Sequence, residues 1–168
     1  MEFGLSEEQR LFDEVVRGFL ADRVPMEERR RLAEGEGFDP SLWNGLVELG
    51  LTGILVPERF GGSGLGVFDA ALVAEALGAA AAPVPFAGPA VMAPPAILAA
   101  GDAAQQGRWL PAIAAGDMRI AVAFAGLAGT AGAGDLQLDG PHLHGTVRGV
   151  MDAAGASHVL AVTADGRM

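Results

Sequence analysis

The sequence has no cysteine and no lysine, and only 6% of its 168 residues are aromatic. Without cysteine there are no disulfides, no thiolate nucleophile and no cysteine-ligated zinc. Without lysine there is no Schiff-base chemistry and no phosphate-loop lysine. All 11 cations are therefore arginine, and they stand against 21 carboxylates for a formal charge of −10. A protein that tracks phosphates is basic, so no nucleic-acid partner is expected. With 51% hydrophobic and 19% charged residues, the composition is that of a globular chain of one domain or a little more.

The opening MEFGLSEEQRLFDE is acidic and helix-like from the start, unlike the cationic and then apolar start of a secretory signal, which makes the cytoplasm the expected compartment. Between Glu75 and Asp102 no residue is charged, a length that could cross a bilayer. Pro83, Pro85, Pro89, Pro94 and Pro95 interrupt it and no arginine anchors either edge, so no membrane span is expected.

Ser6 and Gln9 have capping-box spacing ahead of a stripe of Leu11, Phe12, Val15, Val16, Phe19 and Leu20, which predicts a first helix. Residues 26–32 form a short charged segment whose Arg29, Arg30 and Arg31 read as a solvated face. Asp39 followed by Pro40 starts another helix, with Leu42, Trp43, Leu46 and Val47 apolar and Gly50 at its stop. Residues 51–56 read as a brief apolar extended piece closed by Pro57, followed by the glycine-dense turn RFGGSGLG. Helical spacing resumes over Phe68, Leu72, Val73, Ala76 and Leu77. Asp102 and Gln105 repeat the capping-box spacing before Trp109 and Leu110, and Pro111 is expected to bend or end that helix.

Near residue 118 the texture changes from α to β. Residues 120–124, 136–138 leading into Asp139-Gly140, 142–150 and 159–162 read as strands. The last strand runs into Ala164-Asp165-Gly166 as half a hairpin without a partner, so the natural chain is expected to be longer than 168 residues.

His142 and His144 would share a strand face, but with only His158 and scattered aspartates beyond them no metal site is assigned. The GGSGLG run lacks the βαβ setting and downstream acid of a dinucleotide loop, so it reads as a tight structural turn rather than an anion cradle. No serine–histidine–aspartate set and no carboxylate pair stands out.

Taken in order, however, three stretches resemble the N-terminal half of an acyl-CoA dehydrogenase: LSEEQRLFDEVVRGFL near the start, LWNGLVELGLTGILVPERFGGSGLG over residues 42–66, and GDAAQQGRWLPAIAAGDMRIAVAF over residues 101–124. The likeness covers residues 3–124 well and the rest more loosely. It implies an α+β fold, with an N-terminal all-α helical domain at residues 1–117 followed by part of an antiparallel β-barrel-like domain at residues 118–168. It implies FAD as cofactor and an acyl-CoA thioester as substrate, oxidised by loss of an α-proton to a carboxylate base and a β-hydride to the flavin. The base of such enzymes belongs to a C-terminal helical domain, so no catalytic residue is expected in this chain.

By the same resemblance, Phe124, Ala125 and Gly126 occupy the stretch that contacts flavin at the start of the β domain, followed by Leu127 where the family's hydroxyl and carboxylate are missing. Val150 and Met151, after Gly149, occupy the strand that lines the flavin ring, again without the family's aromatic and hydroxyl. Phe86, Val91 and Met92, in the uncharged segment, are the candidate wall of the acyl pocket, against a reading as ordinary core. The leading expectation is an acyl-CoA dehydrogenase-like flavoprotein of fatty acid or sterol catabolism, acting as a homo-oligomer. The alternatives are a non-catalytic subunit of a heteromeric acyl-CoA dehydrogenase and a stand-alone helical interaction module.

Overall fold

The helical half is built from local signals that the chain satisfies one by one. The computed structural model describes residues 4–34, 38–123 and 134–161. Ser6 caps helix α1 (Glu7–Arg23), its hydroxyl accepting from Gln9 N–H while the Gln9 side chain returns to the Ser6 N–H. The charged segment after Pro25 forms helix α2 (Met26–Ala33). Asp39 caps helix α3 (Pro40–Glu48) through a 2.8 Å bond from Leu42 N–H. The Ser41 hydroxyl and that N–H hold the Asp39 carboxyl below its ordinary pKa.

Helix α4 (Val67–Ala80) packs along α1, and two polar links hold the pair: Gln9 to Asp69, and Arg17 bridging Asp13 and Glu75. After it come a π-helical turn (Ala87–Met92) and helix α5 (Ala93–Ala100). Helix α6 (Ala103–Ala114) starts on the capping box of Asp102 and Gln105. It runs on past Pro111 rather than ending there. Leu110 and Ile113 are both fully buried on either side of the proline, and two such side chains, at ~1.5–3 kcal/mol each, outweigh its helix penalty of ~3 kcal/mol.

The apolar piece at 51–56 is not extended. It forms a 3-10 turn (Leu51–Gly53), with a second after Pro57 (Glu58–Phe60). Leu51 and Ile54, three apart and both buried, suit a winding of three residues per turn. The glycine run then folds back as a clasp, with Ser63, Leu65 and Gly64 N–H donating to the carbonyls of Gly53, Ile54 and Val56.

Two core clusters meet at this clasp. The first joins Val16, Leu20, Leu42, Leu46, Leu51, Ile54, Val73 and Phe86. The second joins Val56, Ile97, Leu110, Ile113, Ile120 and Val122. The clasp feeds Leu51 and Ile54 to one and Val56 to the other, while the buried Thr52 hydroxyl donates to the Ala114 carbonyl at 2.9 Å.

Four strands are described: β1 (Ile120–Ala123), β2 (Gly134–Asp139), β3 (His142–Val147) and β4 (His158–Ala161). β2 and β3 form the expected antiparallel hairpin around the Gly140 turn. β1 and β4 pair in parallel, which departs from an all-antiparallel arrangement. Arg119, just before β1, is bound at its own backbone by Ser157 and His158, and this side-by-side start fixes the two strands in the same direction. The 142–150 strand ends at Val147, and residues 149–153 are not a strand. They turn, with Gly149 and Asp152 at positive φ and a single antiparallel bridge from Met151 to Val122. Residues 162–166, and with them the expected half hairpin, lie outside the described residues.

A Cβ at Gly62 would lie 2.1 Å from the Val56 carbonyl oxygen, whereas one at Gly107, exposed in α6, would meet nothing within 4 Å. Gly62→Ala should therefore cost at least about 2 kcal/mol by overpacking the clasp. Gly107→Ala should stabilise by about 0.5–1 kcal/mol. Urea unfolding of the two variants beside the wild type checks both signs.

Candidate functional site

The uncharged segment is where the helical half and the strands meet. Pro94 and Pro95 have no N–H to offer the carbonyls of Ala90 and Val91 four residues back, so α-helical bonding fails there. The backbone widens instead, and Ala93 N–H donates to the Gly88 carbonyl across five residues. This turn is buried at Gly88, Pro89 and Ala90. It carries Val91 and Met92 half-buried on opposite sides of the seam, Val91 against the first core and Met92 against the second. Phe86 is 5% exposed and belongs to the first core itself. Of the three candidate wall residues, Phe86 therefore packs as core, while Val91 and Met92 stand together at the seam.

On the strand side, the Ala87–Met92 turn touches β1. A 2.6 Å hydrogen bond from Gly88 N–H to Asp152 Oδ2 joins it to the turn that holds Val150 and Met151. Neither the capping pattern nor the apolar spacing of the sequence marks Asp152, because its partner is 64 residues away. Only the inability of Phe86 to cap the helical run that follows hints that a donor there is served from elsewhere.

Two small adjoining clefts lie between β4 and helices α5 and α6, about 130 and 100 Å³ in volume and both lined by Ile97, Trp109, Val159 and Leu160. They are smaller than the ~300–1,000 Å³ of a ligand pocket, and Phe86, Val91 and Met92 do not line them.

The glycine run is not an anion cradle. The N–H groups of Gly61, Gly62, Ser63, Gly64 and Leu65 all donate to backbone carbonyls, and that of Gly66 donates to Asp69. His142 and His144 lie on the exposed face of the hairpin with ring centroids 6.4 Å apart. Among the described residues no group of three metal-ligating side chains occurs. No helix among them is long and apolar enough to cross a membrane.

Of the candidate flavin contacts, Phe124, Ala125 and Gly126 lie outside the described residues. Val150 and Met151 are described, in the turn that follows β3. The Val150 side chain offers no donor or acceptor and the Met151 thioether offers only a weak acceptor, and the Met151 N–H and C=O are both spent on Val122 at 3.3 Å.

Residues 6–117 match the family model for the N-terminal domain of acyl-CoA dehydrogenases. The chain belongs to the acyl-CoA dehydrogenase family. Among curated acyl-CoA dehydrogenases, IpdE2 of Mycolicibacterium smegmatis is 41% identical over 86 residues, covering 50% of this chain and 28% of that protein. The (2S)-methylsuccinyl-CoA dehydrogenase of Cereibacter sphaeroides is 30% identical over 122 residues, 72% of this chain and 22% of that protein. Among solved structures, a variant of the Tcur3481-Tcur3483 steroid ACAD superposes with a TM-score of 0.79 at 32% identity, over 95% of this chain and 46% of that one. The ChsE4-ChsE5 complex of Mycobacterium tuberculosis gives 0.78 at 28% identity, over 99% and 47%. The chain thus spans less than half the length of these acyl-CoA dehydrogenases.

Proposed function

We propose that this chain is the N-terminal part of an acyl-CoA dehydrogenase that α,β-dehydrogenates an acyl-CoA thioester with FAD as hydride acceptor, in the cytoplasm. The boundary between its helical and β parts is placed at residues 117 and 118. The observation that carries this reading is the Ala87–Met92 turn at the seam of the two cores, in a chain of this family. It presents Val91 and Met92 as half-buried apolar surface, the wall an acyl group needs. When bound, FAD would supply the acceptor for the β-hydride, and the base that takes the α-proton is assigned to a C-terminal domain. The part of this chain is to exclude water and position the acyl group.

A second reading is favoured by the engagement of Met151 with Val122. With that backbone spent, the chain suits the role of a subunit beside a fuller homologue that supplies flavin contacts and base. Two structural relatives carry paired names, the ChsE4-ChsE5 complex and the Tcur3481-Tcur3483 steroid ACAD. Purification from the native source decides this reading: a co-purifying homologue that carries the flavin is expected, and a flavin-free homo-oligomer contradicts it.

The acyl-CoA assignment is tested on the chain by thermal unfolding. At about a hundredfold excess over Kd, acyl-CoA should raise Tm by about 5 °C or more, and free coenzyme A should raise it less. Equal shifts with both ligands, or none with either, contradict an acyl wall.

A further inference from the structure

Phe86 precedes the Ala87–Met92 turn without a side-chain acceptor, so the first N–H groups of the helical run are left to partners outside it. Asp152 meets the need at Gly88, its Oδ2 accepting that N–H at 2.6 Å. A carboxylate on the opening turn of a helical run is also favoured by the positive end of the peptide dipoles. The same Gly88 accepts the Ala93 N–H that makes the turn wide. A Cβ on Gly88 would lie 2.8 Å from the Ile120 carbonyl oxygen and 3.3 Å from Asp152 Oδ2, so glycine is what lets β1 and the carboxylate close on the turn together.

Asp152 holds this contact from φ 57, a left-handed conformation costly for most residues with a side chain and best tolerated by aspartate and asparagine. Such a conformation persists where surrounding contacts over-determine it. Those contacts are the Met151–Val122 bridge on one side and the Gly88 bond on the other.

We infer that Asp152 is a positioning residue, whose carboxylate anchors the wide Ala87–Met92 turn to the β half and so decides which way Val91 and Met92 face. Released from Asp152, the turn, which Pro94 and Pro95 keep wide, is free to rotate against β1. That rotation carries Val91 and Met92 off the two cores they now straddle and reshapes the surface offered to an acyl group. The inference rests on the acyl-CoA reading for its consequence and on the Gly88 contact for its mechanism.

The two parts are tested on one set of proteins, the full chain as wild type, Asp152→Ala and Asp152→Asn. Amide hydrogen exchange reads the latch without any ligand. The Gly88 amide of Asp152→Ala should exchange about tenfold faster or more while the amides of α1 and α4 keep their protection. Asp152→Asn, whose amide oxygen still accepts, should recover most of the protection. The ratio of Kd values for a short and a long straight-chain acyl-CoA reads the wall, and should change severalfold in Asp152→Ala and little in Asp152→Asn. Unchanged exchange at Gly88 overturns the latch, and faster exchange with an unchanged ratio overturns the positioning role. Failure of the wild-type chain to bind either acyl-CoA overturns the acyl-CoA reading and the consequence drawn from it, and the exchange result tells that failure apart from failure of the latch.

Discussion

The close return of the glycine run onto the Leu51–Gly53 turn is the contact on which the rest of the structure depends. A Cβ at Gly53 would sit 2.9 Å from the Ala114 Cβ and 3.2 Å from the Gly62 Cα. Three segments therefore meet there at backbone distance, which leaves no room for side chains. The clasp turns the run so that Leu51 and Ile54 enter one core and Val56 the other. Its amides are consumed in closing it, and so the run that looks most like a phosphate loop has none left for an anion.

The same economy governs the seam, where the Ala87–Met92 turn packs against the Leu51–Gly53 turn. Consecutive prolines deny the 87–95 segment an ordinary helix, and the chain answers with a wide turn whose donor is met from the β half. Around it, Trp43 Nε1 reaches the Gly116 carbonyl at 3.0 Å, and Arg119 lies 5.1 Å over Phe38 while its Nε donates to the Gly155 carbonyl. The helical and β halves are joined by the Arg119–Phe38 contact and the Gly88–Asp152 hydrogen bond as well as by the second core. The proposed acyl wall stands where both halves control its shape.

Features decided within four residues were legible in the sequence. The boxes at Ser6 with Gln9 and at Asp102 with Gln105, and the Asp39-Pro40 start, announce their helices because donor and acceptor are sequence neighbours. The family resemblance was legible for the same reason, since its most specific stretch is the clasp and the helix before it. What could not be read was decided at a distance. Residues 51–56 were apolar enough for a strand, yet the partners that curl them are Ser63, Gly64 and Leu65. The parallel pairing of β1 and β4 depends on Arg119 meeting Ser157, and Pro111 is carried by burial that local propensity does not contain. At the candidate site, Val91 and Met92 are candidates that the resemblance supplies, whereas Asp152 bonds Gly88 across 64 residues and leaves no local trace.

On the proposed reading, this chain is a wall and a scaffold that does not hold the flavin alone. Val150 offers no polar side chain, and Met151 has its backbone engaged with Val122. Titration of FAD into the purified 168-residue chain, followed by flavin fluorescence and absorbance at several protein concentrations, tests this most directly. The account predicts no saturable binding by the chain by itself. Stoichiometric binding would contradict it and return the flavin site to this polypeptide.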